Sequence, residues 1–374
     1  MKQVFNDGAW LLLALLLSTS LYADDGNIRE FSKTLNKQFS IPADGLVNLS
    51  NKYGKIDIKT WEQNAARISV KILVNASTES EAQEVFDRID ISFFGTDNQA
   101  GAKTTIEAKN KSWWEWGNDS DDFSINYEVF LPASANLDVT AKYCDVYSAA
   151  TTGTGSFVVK YGNIKLDGLG EDSNVDLAYG NGNIVRTRDL DLELAYGNLD
   201  VGEASDLDLN VRYGNFSVDR AGDIICNSRY STFRMGEIRE FRNDGKYDNI
   251  EVDFAEEVVC ETHYTNVKID RLTRRLSLDM AYGSAKASQV DASFDEINVN
   301  GRYTDFKVYM PRSANCTLDL SGTYADIRLP SSGVNKSLDS KEGNSHEVRG
   351  HMGNGTDGSV KARLSYGGIV LGTN

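Results

Sequence analysis

Histidine, cysteine and long apolar runs are all scarce in this sequence, and each scarcity narrows what the chain can do. Three histidines occur in 374 residues. His263 lies in a strand pattern, while His346 and His351 fall in a polar loop, and none has a serine elbow, a cysteine partner or metal-ligand spacing around it. Gly353, Gly355 and Gly358 lack the strand-to-helix setting of a phosphate loop, and the tandem Gly-rich nonapeptide of calcium-binding repeats is missing. No catalytic residue, cofactor or metal is therefore expected. Basic residues are in deficit: 39 Lys and Arg against 55 Asp and Glu leave a net charge of −16. Such acidity argues against nucleic acid as a partner and against general adhesion to anionic lipid.

Only Ala9–Leu17 is continuously apolar, which is short for a membrane span. With Lys2 before it and Tyr22-Ala23 after it, the run reads as a secretory leader over residues 1–23, so export to the periplasm or cell surface is expected without an integral membrane segment in the mature chain. Loss of the leader removes Lys2 and Asp7, leaving 38 basic and 54 acidic residues and the same net charge of −16. The four cysteines do not suggest a disulfide framework. Cys226 and Cys260 each precede a tyrosine by four residues, two repeats apart, which separates their α-carbons by roughly 9–10 Å. Together with Cys144 and Cys316 they are expected to be free thiols, at least two of them buried.

What the chain has in abundance is tyrosine at fixed intervals. Tyr161, Tyr179, Tyr196, Tyr213, Tyr230, Tyr247, Tyr264 and Tyr282 follow one another at 17 or 18 residues, Tyr303 and Tyr324 at 21, and Tyr366 at 42, twice 21. Counting each tyrosine as zero, apolar residues recur at −6, −4, −2, +3 and +5, as in Leu190, Leu192, Leu194, Leu199 and Val201. The positions between them are polar, so each unit holds two strands with one buried and one wet face. A unit this short cannot bury its apolar face alone, whereas stacked copies can. The expected fold is all-β: a single-stranded parallel β-solenoid of 17–21-residue coils over residues 136–374, behind an N-terminal β-rich cap over 24–135. Gly-Asn after the tyrosine is also a hairpin signal, but several units replace that glycine and the two arms are unequal, which favours stacked coils. The tyrosines are expected to form an internal column at strand spacing, with the left-handed backbone at the Gly or Asn positions after them.

In the cap, Thr78–Ile89 reads as one short helix, with Thr78 and Glu81 as a capping box and Ala82, Val85, Phe86 and Ile89 as its apolar stripe. A helix here is expected to cover open strand edges. Strands are expected at Phe31–Ile41, across 46–74, and at Asp90–Phe94, Thr104–Lys109 and Phe123–Leu131, and residues 331–347 as loop.

Two features could bind a ligand. Trp113, Trp114 and Trp116 stand within four residues beside the acidic run Asp119–Asp122, as an aromatic platform for sugar rings or a protein hot spot, or else as packing over the first coil. A basic column at −1 (Lys142, Lys160, Arg212, Arg229, Lys246, His263, Arg302) runs beside an acidic one at −3 (Asp176, Glu193, Asp244, Glu261, Asp279). The two can neutralise each other, a structural role, or the cations of Arg212, Arg229 and Lys246 can receive an anionic polymer.

The Lys52-Tyr53-Gly54-Lys55-Ile56 opening, Trp61, the Glu81-Ala82-Gln83-Glu84 helix, the Leu131-Pro132-Ala133-Ser134-Ala135-Asn136-Leu137 entry and the serial Tyr-Gly-Asn units resemble the putative-adhesin family of bacterial envelope proteins, the adhesin-like β-helical domains. The likeness spans nearly all of the mature chain. It implies a β-solenoid in the envelope with an adhesive role and no catalytic residues to carry over; the Trp-rich loop and basic column have no counterpart in it. The expected function is thus a non-enzymatic interaction or scaffold protein whose partner is an envelope or surface polysaccharide or protein. The competing readings are a polysaccharide-active enzyme near His351 and a purely structural element.

Overall fold

The computed structural model describes residues 28–108, 122–170 and 172–374. The chain divides into two compact units, Met1–Glu171 and Asp172–Asn374. The described residues are all-β apart from one helix.

The first unit contains β1 (Arg29–Ser40), β2 (Leu46–Trp61), β3 (Ala65–Ala76), α1 (Glu79–Asp87), β4 (Ile89–Gly95), β5 (Gln99–Ile106), β6 (Asp122–Pro132), β7 (Asn136–Ser148), β8 (Gly155–Lys160) and β9 (Ile164–Leu166). β1, β3 and β6 pair antiparallel, and Ile68, Val70, Ile72 and Val74 are buried along β3. β2 is the junction. On one edge its first half pairs in parallel with β5 and its second half with β6; on the other edge it pairs in parallel with β7, which continues to β8 and β9. Helix α1 starts as its sequence requires: the Glu81 amide donates to Thr78 Oγ1 at 3.2 Å, and the Ser77 amide donates to Glu81 Oε2 at 3.0 Å. It buries Ala82 and Phe86 and packs chiefly against β3.

The second unit contains β10 (Ser173–Ala178), β11 (Asn181–Arg186), β12 (Asp189–Ala195), β13 (Asn198–Glu203), β14 (Asp206–Arg212), β15 (Asn215–Arg229), β16 (Thr232–Lys246), β17 (Asn249–His263), β18 (Asn266–Val290), β19 (Glu296–Met310), β20 (Cys316–Arg328), β21 (Val334–Glu342), β22 (Ser345–Met352) and β23 (Gly358–Thr373). Successive repeats pair in parallel and in register, so that Leu192 lies over Val175 and under Leu209, and the antiparallel alternative does not occur among them. Each such step repeats the same apolar position, which explains why Leu190, Leu192, Leu194, Leu199 and Val201 are at most 3% exposed.

Near the C-terminus the order of strands departs from the order of the chain. β23 is inserted between β19 and β20, parallel to both, so the tyrosines stack in the order 303, 366, 324. Residues 331–347, expected as loop, instead supply β21 and the start of β22, an antiparallel hairpin on the far edge of β20. The hairpin turns at Gly343, where φ is +56°. Its side chains are mostly wet on both faces, so it lacks the alternation that marks the other strands.

The tyrosines correct the expectation most sharply. They form a stack, but it is external: all thirteen of the repeat tyrosines are 41–55% exposed. They take the left-handed backbone, with φ between 52° and 62°, and of the Gly and Asn residues after them only Gly54 has positive φ, at 144°. The flip explains the exposure. A left-handed residue breaks strict alternation, so −2 points in, −1 and 0 both point out, and +1 points in again; Ser231, Asp248, Thr265 and Thr304 at +1 are accordingly buried. In the second unit ten rings stack at 4.6–5.0 Å within 10° of parallel. In the first, Tyr53, Tyr143 and Tyr161 stack at 5.2 and 5.0 Å.

A left-handed non-glycine residue costs about 1 kcal/mol or more, and each stacked pair returns roughly 0.5–1.5 kcal/mol, so the ladder offsets its own strain. Tyr230→Ala keeps the strain and loses two ring contacts; Tyr230→Gly loses the contacts and also the strain. In chemical denaturation we expect Tyr230→Ala to destabilise by about 2–3 kcal/mol and Tyr230→Gly by about 1 kcal/mol less. That order reverses the usual preference for Ala over Gly in a strand, and the usual order would show that strain at this position is negligible.

Candidate functional site

Because −1 and 0 both point outward, the basic column lies directly beside the tyrosine ladder. The ammonium of Lys142 sits 5.2 Å from the Tyr143 ring centre and the Arg302 guanidinium 5.6 Å from that of Tyr303. Arg212, Arg229, Lys246 and His263 occupy the same register position at the ends of β14, β15, β16 and β17. The first three, all exposed, line a groove of about 320 Å³ with Asn210, Asn227, Ser228 and Asp244.

The expected neutralisation by the −3 column fails here. Among the described residues none of Arg212, Arg229 and Lys246 forms an ion pair, whereas other cations do, such as Arg274 with Glu257 at 3.2 Å and Arg275 with Glu296 at 3.9 Å. The reason is in the sequence: position −3 is Asn210 before Tyr213 and Asn227 before Tyr230, so two of the three cations have an amide where other units have a carboxylate. These amides, and Ser228, are groove residues that the column reading alone overlooks.

The chain is similar to solved structures named as putative adhesins. A "putative adhesin" from Parabacteroides distasonis overlaps 66% of this chain and 92% of its own at 13% identity, with a TM-score of 0.34. Another so named, from Parabacteroides merdae, overlaps 76% and 92% at 14% identity and a TM-score of 0.27. A third, from Bacteroides fragilis, overlaps 91% and 97% at 10% identity and a TM-score of 0.27. At these scores the likeness fixes neither fold nor function. No family model and no curated protein matches the chain.

Trp113, Trp114 and Trp116 lie outside the described residues, as does the leader. Of the histidines, His351 Nδ1 is bonded to the Gly353 carbonyl at 2.7 Å and not to Asp357, whose carboxylate faces Asn315. His346 Nε2 meets Asp339 Oδ1 at 2.9 Å in the edge hairpin. Lys336, and then His346, pull the Asp339 carboxyl down to about 2. Among the described residues no group of three potential ligands could hold a metal ion.

The four thiols are free and buried. Cys226 and Cys260 face one another across Asn243, one strand away from each, which keeps them apart as their spacing predicts. Burial pushes the Cys144 and Cys260 thiols up to about 12 and that of Cys316 to about 11, so they are protonated and inert at neutral pH. Beneath the groove is a buried polar cluster. Asp248 Oδ1 accepts from the Ser231 amide at 2.8 Å, and its Oδ2 lies 2.9 Å from Ser228 Oγ, which is also 3.0 Å from Asn243 Oδ1. Desolvation raises the Asp248 carboxyl to about 6.

Proposed function

We propose that the chain is an exported, non-enzymatic binding protein, with residues 1–23 as leader, 24–135 as cap and 136–374 as a single-stranded parallel β-solenoid whose outer strip receives an acidic polysaccharide of the envelope or cell surface. One observation carries this reading: Arg212, Arg229 and Lys246 stand side by side, exposed and without ion pairs, in a chain of net charge −16. Like charges at strand spacing repel, so a row left uncompensated in so acidic a chain is an unmet demand for anions. The row advances by one strand spacing per cation, close to the rise of one hexose in an extended glycan, so a linear polyanion can meet several cations at once. Trp113, Trp114 and Trp116 are proposed as a second contact, through ring faces on sugars.

The test incubates the full chain with immobilised neutral and acidic polysaccharides at low and high salt. We expect retention on the acidic polymers only, weakened by salt. At roughly 0.5–1 kcal/mol per exposed charge contact, Arg212→Gln with Arg229→Gln and Lys246→Gln should cost ten-fold or more in affinity with the fold intact. Salt-independent retention unaffected by that triple change, but lost in Trp114→Ala with Trp116→Ala, would move the site to the tryptophans. New polymer chain ends would reveal an enzyme and overturn the proposal.

A further inference from the structure

We infer that the tyrosine ladder is an oxidative coupling site, where a peroxide-driven one-electron oxidant, such as the reactive form of a haem peroxidase, joins phenols of neighbouring strands into dityrosine staples. The inference is independent of polysaccharide binding and stands on three observations. First, the groups that normally intercept oxidants are withdrawn from solvent. Cys144, Cys226, Cys260 and Cys316 and the four described methionines, Met235, Met280, Met310 and Met352, are all at most 3% exposed. Second, the phenols are the opposite: every ladder tyrosine is at least 41% exposed. Third, the backbone holds each ladder phenol against the next, at 4.6–5.0 Å between ring centres through all ten of the second unit. Like ring atoms therefore stand over one another at strand spacing, and a swing of two half-exposed rings about their side-chain torsions brings one ortho carbon to the next.

The chemistry balances. Each phenol gives up one electron and its hydroxyl proton to become a phenoxyl radical with spin on its ortho carbons. Two neighbouring radicals form one carbon–carbon bond between those carbons, and the two ring hydrogens there move to the oxygens, restoring both phenols. Two electrons and two protons are lost in all, and they reduce one hydrogen peroxide to two waters. Stacked rings favour the encounter, because a radical on one phenol can take an electron from the next and so travel until it meets a second. The product adds a covalent bond between strands that are otherwise held by hydrogen bonds, ring stacking and apolar packing.

The molecule supplies its own controls. Tyr147 is 41% exposed but belongs to no ring stack among the described residues, and Tyr127 is 1% exposed, its phenol pushed up by burial and held at Thr104. The inserted strand adds a fingerprint, since Tyr366 separates Tyr303 from Tyr324. The experiment treats the dilute full chain with hydrogen peroxide and a haem peroxidase, follows dityrosine fluorescence, and maps linked peptides by mass after proteolysis. We expect intramolecular links, each two hydrogens lighter than its parts, between neighbouring rungs such as Tyr213–Tyr230 and Tyr230–Tyr247. At the C-terminal end we expect Tyr303–Tyr366 and Tyr366–Tyr324 but not Tyr303–Tyr324. Tyr366→Phe keeps a ring in the stack without a phenol, so it should remove those two links and leave the others. Links dominated by Tyr147, a Tyr303–Tyr324 link in the unaltered chain, coupling only between molecules, or no dityrosine at all would each overturn the inference.

Discussion

Ile369→Asp is expected to open Cys316 to thiol reagents while Cys226 and Cys260 stay protected. Ile369 is fully buried in β23, between Phe306 of β19 and Ile327 of β20. A carboxylate there has no partner and no water, a penalty on the order of 4 kcal/mol or more. The penalty falls on β23, which is held by pairing with β19 on one edge and β20 on the other, so its departure relieves the penalty directly. Cys316, paired with Gly358 on the inserted strand, loses its cover, whereas Cys226 and Cys260 lie on β15 and β17, several strands away. Reaction of all three thiols would mean that the second unit unfolds as a whole. Protection of all three would mean that β20 has closed directly onto β19.

The second large effect is a stability that rises as the solution is made acid. Asp248 titrates near 6 in the folded chain against 3.8 when exposed, because burial disfavours its charge. Between those values the folded state binds more protons than the unfolded one, so stability falls as pH rises through the window, by about 3 kcal/mol in all. Geometry points the same way. Ser228 has one hydroxyl proton for two acceptors, Asn243 Oδ1 and Asp248 Oδ2, and a proton on Asp248 supplies the missing donor. Denaturation midpoints for the unaltered chain should therefore increase from pH 7 to pH 4.5. Asp248→Asn should be 1 kcal/mol or so more stable than the parent at pH 7 and should show a flatter profile. A variant less stable at every pH would show that the charged carboxylate is satisfied where it lies.

Much of this was legible in the residues, and what was not has identifiable causes. The apolar positions at −2 and +3 are five residues apart, an odd number, so two buried positions of one face demand a single backbone flip between them. The sequence shows that a flip exists but not which residue makes it. Gly and Asn are the residues that take a left-handed backbone most readily, and the choice of Tyr becomes favourable only when its neighbours above and below stack on it, a tertiary gain invisible in one unit. The unpaired cations were visible as a column, and the asparagines that leave Arg212 and Arg229 uncompensated were visible too, once read position by position. The 42-residue interval to Tyr366 gives the phase of β23 but carries no information on which rung it takes. The β21–β22 hairpin buries Val348 and Met352 and leaves most of its other side chains wet, too short an apolar pattern to betray it.

The β-bulge in β18 bears on how such a chain can change its length. Tyr264 and Tyr282 are 18 residues apart rather than 17. The register shifts between Ala255 and Glu257, where Thr273 and Arg274 together face Glu256. The surplus residue is absorbed there, and Leu276 returns to the phase of Val258. The 21-residue intervals instead place their extra residues outside the paired segments, at 291–295 and 311–315. A single insertion inside a paired segment, unless a bulge absorbs it as in β18, would turn every later apolar residue of that strand to water, but the same insertion at these corners alters one rung and spares the rest. Descendants of this sequence should therefore gain and lose residues at the corners freely, whole rungs occasionally, and single residues between a tyrosine and its +5 position almost never.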